Sequence, residues 1–232
     1  MEPVIILAGG LGTRLRGVIK DIPKPMAPVN GQPFLHYIFK YLEKYNVTDV
    51  ILAVGYKYEP LKDFFGNRYG NITIQYSIEE EPLGTGGGIK KAYQLVNSNA
   101  FVLNGDTFFD IDLHALKAFY KTTVSDLALA LKPLQNFDRY GTVELNTENR
   151  ITAFIEKKPM AEGLINGGVY YAHKDLFTQL NLPEKFSLEK DLLEKYVGRL
   201  KINGCVFNDY FIDIGIPEDL ERAQTEFKEK FE

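Results

Sequence analysis

Cysteine is nearly missing from the chain: Cys205 is the single one among 232 residues. One thiol cannot pair within its own chain, so a disulfide framework is excluded. Histidine is sparse and scattered at His36, His114 and His173, with no Cys/His cluster, which argues against a structural zinc site. Positive charge is not in excess, since 27 Lys and Arg stand against 31 Asp and Glu for a net charge of −4. A duplex-binding protein usually carries a basic face, so no nucleic-acid partner is expected. Long hydrophobic runs are lacking too. The first one, residues 4–8, is far shorter than a signal core or a membrane span, so a cytoplasmic location without membrane contact is expected.

What is present is ordinary globular composition, 45% hydrophobic and 25% charged. The length suffices for one core, and no linker or internal repeat divides it, so residues 1–232 are expected to form one domain. No hexapeptide repeat or second domain is expected after the helix that begins at Pro217. Strand and helix signals alternate from the start. Residues 4–8, 49–54 after the leading Asp49, 101–103 and 127–131 are apolar runs, as for strands covered on both faces. Between them Phe34, Tyr37, Ile38, Tyr41 and Leu42 recur at helical spacing, with Pro33 expected in the first turn. Ile89, Ala92, Tyr93 and Val96 form a second helical face, and Leu113, Leu116, Phe119 and Tyr120 a third. Leu188, Leu192, Leu193 and Tyr196 form a fourth, capped by Ser187. This alternation predicts an α/β fold: a doubly wound, mainly parallel but mixed, Rossmann-like sheet with helices on both faces. Residues 141–145, 151–156 and 165–171 read as short strands that pair partly antiparallel and line the far side of a pocket.

The most informative segment runs Leu7-Ala8-Gly9-Gly10-Leu11-Gly12-Thr13-Arg14-Leu15. A buried strand opens directly into glycines and then a basic residue. Glycines at a strand end let the backbone approach a ligand and aim successive N–H groups at it, which suits a triphosphate. No G-x-x-x-x-G-K-[ST] string occurs, so this is not a Walker A loop. Leu15 stands where a dinucleotide fingerprint needs its third glycine. The plain alternative is a tight turn that needs small residues. Lys24, held between Pro23 and Pro25, weighs against it, because restricted neighbours can aim the ammonium at an anion.

These blocks resemble the sugar-nucleotidyltransferases, which join a nucleoside triphosphate to a sugar 1-phosphate. The match continues in order through Pro23-Lys24-Pro25-Met26, Glu81-Pro82-Leu83-Gly84-Thr85-Gly86-Gly87, Asn104-Gly105-Asp106, Glu156-Lys157-Lys158-Pro159, Asn166-Gly167-Gly168 and Asp213-Ile214-Gly215. Residues 16–29 and 77–87 are most similar to the D-glycero-α-D-manno-heptose 1-phosphate guanylyltransferases within that family.

The resemblance implies attack of a sugar-phosphate oxygen on the α-phosphorus of GTP. It assigns Arg14 and Lys24 to catalysis by charge neutralisation. It assigns Leu7, Ala8, Gly9, Gly10, Gly12, Thr13, Pro82, Gly84, Thr85 and Asp106 to the nucleotide. Asp106 and Asp213 are implied as ligands of Mg²⁺, an ion that takes one or two carboxylates plus phosphate oxygens and water. Asp110 and Asp112 read instead as helix caps. Gly141, Glu156, Lys157, Asn166, Gly168 and Tyr170 are implied for the sugar phosphate, with Tyr140 beside them. Lys158 adjoins Lys157, and either is available to the phosphate. Guanine presents two adjacent donors that a carboxylate accepts, so one of Glu79, Glu80 and Glu81 is expected to read the base, and Glu80 is favoured. The nucleotide is thus expected mainly in residues 1–110 and the sugar phosphate in residues 111–232. The alternatives are a UTP- or dTTP-dependent enzyme acting on a hexose or N-acetylmuramic acid phosphate, and a non-catalytic nucleotide-sugar sensor. The implied product would feed a cell-envelope glycan such as a capsule polysaccharide; a homo-oligomer stays open.

Overall fold

The computed structural model describes residues 1–9, 22–55 and 57–231. Strand β1 (Val4–Leu7) is apolar without a break because both its faces are covered. Val4 and Ile6 join one apolar layer, and Ile5 joins the other. The first half continues through a 3₁₀ turn (Lys24–Met26), β2 (Pro28–Val29), β3 (Gln32–Pro33), α1 (Phe34–Lys44), β4 (Asp49–Val54) and α2 (Glu59–Phe65). It goes on with β5 (Arg68–Tyr69), β6 (Ile72–Ile78), α3 (Gly84–Ala92), β7 (Ala100–Asn104), β8 (Thr107–Phe109) and α4 (Leu113–Thr123). The second half contributes β9 (Leu127–Phe137), β10 (Thr142–Leu145), β11 (Ile151–Ile155), β12 (Met160–Ala172) and α5 (Leu176–Gln179). A π-helical turn (Leu188–Leu193) leads into α6 (Glu194–Tyr196), followed by β13 (Ile202–Val206), β14 (Phe211–Asp213) and α7 (Pro217–Phe231).

In the sheet, β7, β1, β4 and β6 run parallel. β12 lies antiparallel between β7 and β9, and β13 joins β9 in parallel. β10 and β11 form an antiparallel pair against the start of β12, as expected for the second half. Helices α1, α2, α4 and α7 cover one face around Phe34, Phe39, Phe108 and Phe227. Helix α3, α5 and the π-turn cover the other around Ile89, Phe177 and Leu192. The expected α/β class with a mainly parallel, mixed sheet and helices on both faces is the observed one.

Several local expectations are corrected. Pro33 caps α1 from outside rather than sitting in its first turn. Helix α3 ends at Ala92 and tightens into a 3₁₀ turn over Tyr93–Leu95, so Val96 is already extended. Asp112 caps α4, accepting from the amides of His114 and Ala115. Asp110 is no cap; it pairs with Lys230 on α7. No helix among the described residues is long and apolar enough to cross a membrane.

Candidate functional site

The carboxyl ends of β1 and β7 meet at one edge of the sheet, with Leu7 opposite Asn104. The chain turns there through Gly105, whose amide donates to the Leu7 carbonyl at 3.0 Å. A Cβ on Gly105 would stand 2.6 Å from that carbonyl oxygen and 3.1 Å from Pro25, so glycine is required for the approach. This seats Asp106 beside the Lys24–Met26 turn. Lys24 Nζ donates to Asp106 Oδ2 at 2.7 Å, with the two side chains 23% and 29% exposed. The pair is therefore reachable from solvent rather than sealed.

Asp213 arrives from far along the chain. β14 pairs antiparallel with β8, placing Asp213 opposite Thr107, and the Ile214 amide donates to the Asp106 carbonyl at 3.0 Å. Burial pushes the Asp213 carboxyl up to about 6, and repulsion from Asp106 adds to it. Lys24, the Gly215 amide and Arg139 oppose that rise. Lys24, Asp106 and Asp213 thus converge at one edge. Gly10, Gly12, Thr13 and Arg14 lie outside the described residues, so their placement is not part of this geometry.

Among the described residues no three His, Cys, Asp or Glu side chains cluster as a metal cage. Asp106 and Asp213, the first close enough to add to the rise in the second's proton affinity, nevertheless suit a divalent ion whose remaining ligands are phosphate and water.

The second glycine stretch is built into packing. Gly84 adopts φ +75°, and its Cβ would stand 2.6 Å from the Phe186 carbonyl oxygen. The Gly86 and Gly87 amides donate to that same carbonyl, at 3.0 and 3.2 Å. The Thr85 hydroxyl accepts from the Leu188 amide and donates to Glu189, which Ser187 also reaches. Of the three consecutive glutamates, Glu79 turns inward: its carboxylate accepts the Leu83 amide at 2.8 Å, and burial raises its proton affinity. Glu80 and Glu81 instead line an outward cleft of about 390 Å³ with Leu83, Lys90 and Glu184. Pro82 is exposed at the turn into α3.

On the other side of the edge, Asn166 donates to the Tyr170 hydroxyl at 2.7 Å and accepts the Gly168 amide at 3.1 Å. Here the β12–β9 register shifts, and Gly168 at φ +72° fits against Asn104, on the strand that leads to Asp106. Tyr170 is fully buried, so it orients Asn166 from within the core and presents no open wall. Gly141 sits where a Cβ would press on the Ile155 carbonyl at 2.7 Å. Glu156 and Lys157 are exposed between β11 and β12, and among the described residues no hydrogen bond or ion pair joins them to Lys24, Asp106 or Asp213. Tyr140 lies near enough to Asp213 to feel its charge.

Glu79 and Glu189 carry interactions that their sequence context barely signals. Glu189 stands in an amphipathic run like any exposed helix acid, and only Ser187 ahead of it hints at a structured start.

The Nucleotidyl transferase family model matches residues 3–230. The chain is 55% identical to a "D-glycero-alpha-D-manno-heptose 1-phosphate guanylyltransferase" of Campylobacter jejuni, over 93% of its own length and 95% of that protein. It is 52% identical to the protein of the same name from Aneurinibacillus thermoaerophilus, over 97% of each chain. Among solved structures it is similar to HddC from Yersinia pseudotuberculosis, with TM-score 0.87 and 38% identity over 98% of this chain and 100% of that one. The same protein complexed with GMP-PN gives TM-score 0.85 at 38% identity, with the same coverage of both chains. A match over nearly the full length, on a fold that gathers a lysine and two aspartates where β1 and β7 end, places the chain in the nucleotidyl transferase family.

Proposed function

We infer that the protein transfers a guanylyl group from GTP to D-glycero-α-D-manno-heptose 1-phosphate, giving GDP-heptose and pyrophosphate. The observation that carries this is identity above one half, along nearly the whole of both chains, to two proteins that bear that name. The complex of HddC with GMP-PN supports a guanine nucleotide.

In the reaction an oxygen of the sugar phosphate forms a bond to the α-phosphorus while the bond from that phosphorus to the oxygen bridging the β-phosphate breaks. Pyrophosphate leaves with the bridging oxygen and its electron pair. Both reactants are anions, so the protein's task is alignment and charge neutralisation rather than covalent catalysis. Lys24 is assigned to the α-phosphate and Arg14 to the departing pyrophosphate. Asp106 and Asp213 would hold Mg²⁺, which would supply positive charge against the phosphates. Asp106 also accepts a hydrogen bond from the Lys24 ammonium. The end of β1 from Leu7 through Ala8 and Gly9, the glycine segment with Gly10, Gly12 and Thr13, and the turn holding Glu80, Pro82, Gly84 and Thr85 are assigned to the nucleotide. Gly141, Glu156, Lys157, Asn166, Gly168 and Tyr170 are assigned to the sugar phosphate, Tyr170 acting through Asn166. Residues 1–110 then serve mainly the nucleotide and residues 111–232 mainly the sugar phosphate. The short apolar runs agree with a cytoplasmic enzyme.

Pyrophosphate release measured over a panel of the four NTPs and several sugar 1-phosphates tests this reading. Turnover concentrated in the GTP and heptose phosphate pair is expected. Preference for UTP or dTTP with a hexose phosphate would replace the guanylyl assignment, and no turnover with any pair would remove the enzyme reading.

A further inference from the structure

Asp219 is a carboxylate 5% exposed in the first turn of α7, among residues that otherwise pack apolar side chains inward. A bare charge at that depth is costly, and two arginines answer it. Arg222, one turn along the same helix, donates to Oδ1 at 2.9 Å. Arg139 comes from the loop between β9 and β10, 80 residues away in sequence, and donates to Oδ2 at 2.6 Å. The same Arg139 guanidinium lies over the Tyr140 ring, 5.4 Å from its centroid. Tyr140 in turn meets Phe211 edge-on at 6.2 Å, and Phe211 stands two residues before Asp213 on β14. One continuous chain of contacts therefore runs from the start of α7, through Arg139 and Tyr140, to the strand that presents Asp213.

We propose that Asp219 and Arg139 are positioning residues that hold Tyr140 against the Asp213 strand, fixing the sugar-phosphate side of the cleft relative to its phosphate side. The proposal rests on the guanylyltransferase reading above. Its physical basis is that the 138–141 loop has no ladder pairing of its own across to β14. A guanidinium fork supplies the missing tie, since it can bond a carboxylate and stack on a ring at once. Arg222 neutralises the other oxygen of Asp219 and makes no hydrogen bond to the loop, reaching Glu226 instead. It belongs to the stability of α7 and not to the cleft.

Steady-state kinetics with GTP and D-glycero-α-D-manno-heptose 1-phosphate separate these roles. Arg139→Ala is expected to raise KM for the sugar phosphate at least about tenfold while KM for GTP stays within about twofold, the signature of a lost ground-state contact on one substrate only. Arg139→Lys keeps a cation on buried Asp219 and should fall between wild type and Arg139→Ala, which keeps the question answerable if the alanine variant folds poorly. Because Arg139 acts through Tyr140, the Arg139→Ala/Tyr140→Ala double variant should be no worse than the worse single one. Arg222→Ala should leave both KM values unchanged. Equal rises in both KM values, additive effects in the double variant, or an Arg222→Ala variant that behaves like Arg139→Ala would each overturn the positioning role. An active wild type with an unmoved Arg139→Ala overturns this proposal alone. A wild type inert toward this substrate pair overturns the functional reading and the proposal with it.

Discussion

The two banks of the cleft are joined by opposite means. Along β1, β7 and α3, segments approach because side chains are absent. Gly105 lies under the Leu7 carbonyl, and Gly84 lies under the Phe186 carbonyl, each with its would-be Cβ 2.6 Å from the oxygen. Along β9, β14 and α7, segments are held by charged side chains that span sequence, as in the Arg139–Asp219 bond at 2.6 Å. A backbone contact tolerates no added atom, whereas an ion pair tolerates a conservative exchange at reduced strength. The reactive groups stand between: Lys24 and Asp106 are carried by the first bank and Asp213 by the second.

That difference can be broken in order of effect. Asp106→Asn and Asp213→Asn, one from each bank, should each lower turnover at least about 10³-fold, read as pyrophosphate release, because both carboxylates would hold the same ion. Retention of activity by only one of them would mean that the banks do not share it. Lys24→Ala and Arg14→Ala should each cost at least about a hundredfold in kcat, with turnover within a few-fold of wild type counting against the assignment. Gly105→Ala should lower unfolding stability by about 1–3 kcal/mol in denaturant titration, the usual cost of overpacking. Arg222→Ala, on the other bank, removes a side chain 48% exposed and leaves Arg139 on the buried Asp219 carboxylate, so it should cost no more than about 1 kcal/mol. Equal losses would erase the contrast.

A fourth prediction concerns pH. The Asp213 carboxyl, raised from 3.8 to about 6, binds its proton more tightly in the folded chain than in the unfolded one. Metal-free stability should therefore fall as pH climbs from about 4 to about 6, the reverse of a salt-bridged aspartate. In EDTA at pH 7, Asp213→Asn should be more stable than wild type by roughly 1–3 kcal/mol, with a flatter pH slope. A less stable variant would show that burial and the Asp106 charge do not hold the Asp213 carboxyl above its ordinary range. At the base, Glu80→Gln should lower the preference for GTP over the other NTPs by about tenfold or more, since a site built to bond a substrate donor rejects analogues strongly. An unchanged preference would leave inward-facing Glu79 as the reader to examine by the same substitution.

Much of the first bank is legible in the sequence because its strands are covered on both faces. β1 is an unbroken apolar run, β4 and β7 are apolar apart from Asp49 and Asn104 at their ends, and β4 spans residues 49–54 as read. β6 is harder to see, because its exposed Thr73 and Gln75 interrupt the buried Ile72 and Ile74. β9 and β12 extend past their apolar stretches because each supplies the other's backbone partners, from Met160 opposite Phe137 to Ala172 opposite Leu127. The start of α3 is the strongest conflict between local preference and fold. Five of its first six positions from Gly84 to Ile89 are poor helix formers, and the helix forms there because the 184–187 segment packs where side chains would stand. The candidate site shows the same division. Motif spacing points to Lys24, Asp106 and Asp213, but their meeting depends on β8–β14 pairing across more than a hundred residues. The inward turn of Glu79, the burial of Tyr170 and the Arg139–Asp219 tie are tertiary facts with no local signature.

The most direct test of the central claim is the rate of pyrophosphate release from GTP and D-glycero-α-D-manno-heptose 1-phosphate, measured with Mg²⁺ and again in EDTA. Turnover present with the ion and abolished by the chelator is the predicted result. Full turnover in EDTA would contradict a site in which Asp106 and Asp213 serve a divalent cation.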